Sequence, residues 1–292
     1  MTTNHESTRR SAPSSAADVP TNSGSTSWDR TGVDDDLRDL TTFLESVAAT
    51  ETIQSAMSLA VSRMQLRPGD RVLDAGCGSG VFIPAIAEPI GPRGLVVGLD
   101  HAWSFLATAK ERPTTASSGR GEFARGDVHR LPFADGVFDA AHTERVLMHV
   151  ERPDAVIAEL RRVVKPGGWV VCVEPDIAGM RVDHIDPGAM RALVDGFCRT
   201  IRNPAMGLEL SRRFRAAGLV ERSIEALTEI EHDYPPDGRI YYGRASELMV
   251  AEGRLTAERG RAAVSWLAEA GDSGSFTTYS SLFVAAGRAP EG

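Results

Sequence analysis

The sequence predicts an α/β fold, a parallel sheet with helices packed on both faces. Three observations predict it. Short apolar runs alternate with helical-period segments from about residue 67 to 175, and a glycine-rich turn closes the first apolar run. The composition, 42% hydrophobic and 25% charged over 292 residues, is that of an ordinary globular domain. Repeated βα units of this length imply parallel strands joined by crossover helices, and such sheets take their ligands beyond the carboxyl ends of the strands.

Residues 1–30 are dominated by Ser, Thr, Pro, Gly and Asn and carry too little apolar surface to offset the entropy of ordering, so a disordered tail is expected there. Residues 31–292 read as one domain. In 31–66 two amphipathic helices are expected: Leu37, Leu40, Phe43, Leu44 and Val47 recur at spacings of three and four, and Ile53, Met57, Leu59, Ala60, Val61 and Met64 follow, before the breaker pair Pro68-Gly69. Strands are predicted over 71–75, 95–100, 122–126, 137–143 and 169–174. Helices follow the first strand to about Pro89, the second over 103–110 and the fourth over 154–164, the last with Ala155, Ile157 or Ala158, Leu160, Val163 and Val164 inward. Pro166-Gly167-Gly168 reads as the turn into the fifth strand. Farther on, helices are expected over 187–202 and 208–217 and strands over 219–230 and 276–286. The stretch 231–274 between those last strands holds a Tyr-rich loop and two more helices, an insertion uncommon unless functional.

Lys and Arg total 32 against 40 Asp and Glu, a formal charge of −8 that repels a phosphate backbone and argues against nucleic acid as a partner. The longest apolar run, near residues 169–173, is far short of the roughly 20 residues a membrane-spanning helix needs. Cys77, Cys172 and Cys198 lie far apart with no C-x-x-C pair, which predicts neither a disulfide scaffold nor a zinc site and fits a cytoplasmic protein. Arg9-Arg10 is not followed by an apolar segment, so no export signal is read.

The strongest chemical signal is Val72-Leu73-Asp74-Ala75-Gly76-Cys77-Gly78-Ser79-Gly80, a strand end running through a glycine turn into a helix. Glycines let the backbone approach a ligand, and the helix start offers orphan N–H donors. A dinucleotide fingerprint would place its third glycine where this chain has Val81, which disfavours NAD. Asp100 ends the second strand, where a carboxylate accepts from ribose hydroxyls, and Asp127 follows the third, in reach of an exocyclic amine; Asp74 offers a third negative charge for a cationic amine. Three acids at successive strand ends describe a pocket for a cationic adenosine-bearing ligand without phosphates. S-adenosylmethionine fits that description.

At these residues the chain resembles the class I S-adenosylmethionine-dependent methyltransferases, in the style of the ubiquinone/menaquinone-biosynthesis branch. The resemblance rests on VLDAGCGSG, on Gly98-Leu99-Asp100, on Gly126-Asp127 with the following Leu131-Pro132-Phe133-Ala134-Asp135-Gly136-Val137-Phe138-Asp139, and on Val164-Lys165-Pro166-Gly167-Gly168, and it covers residues 67–175 as the cofactor-binding core. It implies a Rossmann-like seven-stranded sheet, mostly parallel with an antiparallel last strand. It also implies that Asp74, Gly76, Cys77, Gly78 and Gly80 lie at the methionine part, Asp100 and His101 at the ribose, Asp127 and Val128 at the adenine, and Thr143 beside the transferred methyl. The N-terminal helices and residues 176–204 and 231–274 depart from a minimal member and together read as a lid over the acceptor, the latter two as cap insertions.

Methyl transfer from a sulfonium is an in-line displacement, so alignment and dryness supply most of the acceleration, up to ~7–11 kcal/mol. A base is useful where the acceptor loses a proton, and Glu144, His149, His142 and His184 are the candidates. Cys77 is expected to pack rather than react. Tyr234, Tyr241 and Tyr242 cluster in the second insertion, with Tyr242 as a candidate at the acceptor and Phe197, Phe214 and Trp266 as further aromatic cap residues. The expected product is S-adenosylhomocysteine and the expected partner a small apolar or aromatic acceptor methylated on carbon, oxygen or nitrogen, the protein acting as a monomer or homodimer without a metal. A chain that binds the cofactor for another reaction such as a cyclisation, or that methylates a macromolecule, is the alternative.

Overall fold

The computed structural model describes residues 41–42, 45–112, 118–235 and 238–291. The expected tail over 1–30 and most of the first helix lie outside them. Helix α1 (Glu51–Arg63) begins at Thr50, whose side chain accepts from the Ile53 N–H, with Glu51 in the first turn and Arg63 in the last, complementing the helix dipole. There follow β1 (Arg71–Ala75), α2 (Ile83–Ile90), β2 (Leu95–Asp100), α3 (Trp103–Lys110), β3 (Arg120–Arg125), β4 (Phe138–Glu144), α4 (Pro153–Val163) and β5 (Val164–Pro175). After β5 come the two-residue β6 (Arg181–Val182), α5 (Pro187–Cys198), α6 (Met206–Ala216), β7 (Val220–Glu231), α7 (Gly238–Ala251), α8 (Ala257–Asp272) and β8 (Thr278–Arg288).

The sheet runs β3-β2-β1-β4-β5-β8, with β6 and β7 both bonded to β8. The first five strands are parallel; β8 is antiparallel to β5, β6 and β7. Seven strands are therefore as expected. The eighth, β6, pairs with Thr278 and Tyr279, beyond the stretch of β8 that β5 occupies. Because β1 and β2 are covered on both faces they are almost continuously buried, as parallel central strands require. Leu73, Val97, Ala141 and Cys172 meet α4 and α6 on one face, whereas Val72, Val96, Ala140 and Val171 meet α1 and α2 on the other.

Several boundaries differ from the sequence reading. In α4 the inward residues are Pro153, Val156, Ile157, Leu160 and Val163; Ala158 is exposed and Val164 opens β5. Pro at the first helical position, preorganised for that site, starts the helix one residue early. Pro166-Gly167-Gly168 is a bulge within β5, where the register against β4 shifts between Phe138 and Ala140. Phe214, expected in the cap, is instead in the main core beneath the sheet.

Helices α5, α7 and α8 gather a separate core of Leu193, Met249, Leu267 and Phe276. Asp186 and Thr256 cap α5 and α8 through their side-chain oxygens. Among the described residues no helix is long and apolar enough to cross a membrane.

Candidate functional site

One cavity of about 1160 Å³ opens at the carboxyl ends of β1, β2 and β4 and extends to the cap. Of the residues singled out in the sequence, Gly76, Cys77, Gly78, Asp100, His101, Asp127, Val128, Glu144 and His149 line it. Asp74, Gly80, Thr143, His142 and Tyr242 do not.

The turn after β1 is built from backbone. Gly76 and Cys77 both donate to the Leu99 carbonyl, which ties the turn to β2, and Gly78 donates to Asp100 Oδ2 at 3.0 Å. Gly76 has φ +79°, and a Cβ there would stand 2.3 Å from Val146 Cγ2, so the glycine lets the loop after β4 close over the turn. Gly80 serves packing: a Cβ would meet Ala109 of α3 at 2.9 Å, which explains its place outside the cavity. Burial, with the charges of Asp74 and Asp100, drives the Cys77 thiol far above its ordinary range, so it is no thiolate nucleophile.

Asp100 is buried. Its Oδ1 accepts from the Ala102 N–H at 2.9 Å and lies 3.3 Å from His101 Nδ1. Asp127 is largely exposed, and its Oδ1 accepts from the His129 N–H and faces His129 Nδ1, each at 2.8 Å. Partial burial works against its charge, but the His129 backbone and ring and the Arg152 cation prevail, holding its carboxyl below the usual range.

Asp74 departs from the expectation. Its Oδ1 is 3.0 Å from His142 Nδ1, both side chains buried, because the parallel register sets Asp74 directly beside His142 on one face of the sheet. Neither lines the cavity, and His142 Nε2 has no hydrogen-bond partner among the described residues. Thr143 Oγ1 donates to the Ala75 carbonyl across the strands. His184 sits in the cap core, taking a bond from the Asp186 N–H at 2.7 Å and lying 4.5 Å from the Trp266 ring, away from the cavity.

Glu144, the last residue of β4, lines the cavity and also pairs with Arg145 Nε. Burial raises its pKa despite Arg145. His149 follows in the same loop, its carbonyl accepting from Arg202 Nε at 3.2 Å.

The tyrosines divide. Tyr242 is buried in the cap core, 6.3 Å from Tyr234 in a stacked pair, and burial lifts its pKa to about 12; it does not face the cavity. Tyr241, one residue earlier, lines the cavity and meets Phe197 edge-on at 6.3 Å. Helical phase carried the signal: Tyr242, Ala245, Ser246 and Met249 fall on one buried face, which turns Tyr241 outward.

The sequence reading missed Glu174, a fully buried acid at the end of β5, and Asn203 in the segment before α6; both bond the loop after β4. An acid inside the apolar run of β5 is the signal that was there to find.

Residues 73–172 match the family model of a methyltransferase domain. An uncharacterized 37.1 kDa protein in transposon TN4556 of Streptomyces fradiae is 33% identical over 221 residues, 75% of this chain and 64% of that protein. A demethylmenaquinone methyltransferase of Bacillus cereus is 36% identical over 125 residues, 42% of this chain and 53% of the relative. The chain thus spans between about half and two-thirds of the length of these curated relatives. The YcgJ protein of Bacillus subtilis shares the fold, with a TM-score of 0.55 at 19% identity over 82% of this chain and 100% of that one. The domain match lies across β1 to β5, where the glycine turn and the strand-end acids meet one cavity, so residues 73–172 carry a methyltransferase domain whose sequence is similar to that of the S-adenosylmethionine-dependent class I enzymes.

Proposed function

We propose that the chain transfers a methyl group from S-adenosylmethionine to a small apolar or aromatic acceptor, on carbon, oxygen or nitrogen, leaving S-adenosylhomocysteine. One observation carries the reading: a single cavity runs from Asp100 and Asp127 past Glu144 to Phe197 and Tyr241. Its volume, about 1160 Å³, exceeds the ~300–1,000 Å³ of a typical single-ligand pocket and leaves room for two molecules side by side.

The residues fit the cofactor. Each Asp100 oxygen holds one backbone N–H and keeps lone pairs for the ribose hydroxyls. Asp127 and Val128 border the adenine position, and the turn Gly76-Cys77-Gly78 presents backbone to the methionine part. When bound, S-adenosylmethionine supplies an electrophilic methyl group on a sulfonium. Val47, Ala48 and Ile53 and the cap residues Phe197 and Tyr241 exclude water from the remaining space and hold a flat acceptor against it. Glu144 takes the proton from an acceptor that must lose one, its raised pKa bringing it nearer neutrality. His149 borders the same space and orients the acceptor. The segments 176–204 and 231–274 serve as the acceptor cap. The acidic balance and three free thiols support a cytoplasmic protein acting on a small molecule.

The test is calorimetry with S-adenosylmethionine, S-adenosylhomocysteine and NAD on the native chain and Asp100→Ala, followed by an acceptor screen read as S-adenosylhomocysteine release. The adenosyl compounds bind and NAD does not, and Asp100→Ala weakens binding by ~1.5–3 kcal/mol, the worth of hydrogen bonds to a charged group. Binding of NAD instead, or of neither adenosyl compound to folded protein, refutes the reading.

A further inference from the structure

Glu174 is a buried titratable group that the proposed chemistry leaves unused. It lies on the β5 face of Val170 and Cys172, and its carboxylate turns toward the loop that follows β4. Oε1 accepts from the backbone N–H groups of Val146 at 2.9 Å and Leu147 at 2.6 Å, and Oε2 from that of Met148 at 3.2 Å. Three successive N–H groups converging on one point belong to neither a helix nor a strand ladder, so Glu174 is what satisfies them. The carbonyls of the same loop are held from the opposite end of the chain's order. Asn203 Nδ2 donates to Leu147 O at 2.9 Å and Val150 O at 2.8 Å, and its backbone N–H donates to Met148 O at 2.9 Å.

This loop is a wall common to both ends of the cavity. Val146 closes over Gly76 at the cofactor end, while Met148, His149 and Val150 continue the lining toward the acceptor end. Arg145 enters it with φ +52°, a left-handed conformation unusual for a non-glycine residue and one that needs support from its surroundings. We infer that Glu174 and Asn203 are positioning residues for cofactor binding, holding Val146 against the glycine turn and fixing the loop that joins the cofactor seat to the acceptor wall. Asn203 lies in the segment that also carries α5, so the same pair of side chains ties the cap to the seat. The inference rests on the methyltransferase reading for the identity of the ligand beside Gly76.

The test uses the full chain with S-adenosylhomocysteine as the probe, titrated by calorimetry at a temperature where each variant is folded by circular dichroism. Glu174→Met, of similar length without acceptors, raises the dissociation constant at least tenfold. Glu174→Gln, which keeps one acceptor oxygen for Val146 and Leu147, restores it to within about threefold of native. Leu267→Ala, in the cap core away from the cavity, lowers the melting temperature and leaves the dissociation constant within twofold. Asn203→Ala, at a half-buried site, raises the dissociation constant at least fivefold and decides the question by itself if Glu174→Met does not fold. Native-like affinity in folded Glu174→Met or in Asn203→Ala overturns the inference, as does an equal loss in Leu267→Ala. Failure of the native chain to bind the probe counts instead against the methyltransferase reading.

Discussion

Gly76→Ala separates two reasons for a glycine that a sequence motif merges into one. At φ +79° a side chain costs ~1–2 kcal/mol in backbone strain alone. The added Cβ would also stand 2.3 Å from Val146 Cγ2, a distance real Cβ contacts do not reach, and overpacking of that kind costs ~1–3 kcal/mol. The sum, ~2–5 kcal/mol, is a large share of the stability of a typical domain. Val146→Ala removes the colliding methyls and by itself loses only part of a half-buried side chain, ~1 kcal/mol at ~0.8 kcal/mol per buried methylene. The double variant recovers the collision and keeps the strain, so the cycle has a coupling of ~1–3 kcal/mol in the favourable direction. Urea unfolding of the four proteins with a common slope measures it. Additivity within ~0.3–0.5 kcal/mol would refute the contact with Val146, and a cost below ~0.5 kcal/mol for Gly76→Ala alone would refute both parts of the argument.

Burial raises the Glu174 pKa to about 8 against the three N–H groups that favour its charged form, with Glu144 adding to the rise. Between about pH 4.5 and 8 the folded chain then holds a proton that the unfolded chain has released, so stability contributed by this group is greatest at acid pH and falls as pH climbs toward 8. Unfolding midpoints of native protein and Glu174→Gln from pH 5.5 to 8.5 check this, and parallel profiles would exclude it. Tyr241→Ala removes an aromatic wall of the cavity and raises the KM of an accepted substrate by ~10-fold or more while S-adenosylhomocysteine affinity stays within twofold. Tyr242→Ala instead opens the cap core and lowers stability by ~3–5 kcal/mol, read by urea unfolding; the reverse assignment of the two phenotypes would show the helical phase to be wrong. Glu144→Gln lowers kcat ~10²–10⁴-fold for an oxygen or nitrogen acceptor with unchanged cofactor affinity, and full activity on such an acceptor would remove Glu144 from the proton transfer.

The parts of the fold that were legible in the sequence are those governed by local pattern. Strands β1 and β2 are continuous apolar runs because both faces are covered, and the turn between β1 and α2 is a glycine cluster because its backbone must approach other groups closely. Asp100 and Asp127 were placed at the cavity by related reasoning: Asp100 is the last residue of β2 and Asp127 stands just beyond β3, so both carboxylates sit at the carboxyl edge of the sheet, where the cavity opens. The third acid of that set obeyed a different constraint. Asp74 is still within β1, and the neighbouring strand offers it His142 at the same level, a partner separated by 68 residues that no local pattern announces.

The same distinction explains why the supports of the loop after β4 were missed. Glu144 at its start and His149 within it drew the chemical reading, but what fixes the loop comes from Glu174, 26 to 28 residues on, and Asn203, 53 to 56 residues on. A buried carboxylate is costly unless donors surround it, so an acid inside an apolar strand implies a set of otherwise unsatisfied N–H groups nearby. That implication runs from sequence to structure without an alignment, and it points to an irregular loop. Here the loop lines the cavity from the glycine turn toward the cap, so the acid that sustains it shapes that cavity even though it lies outside the lining.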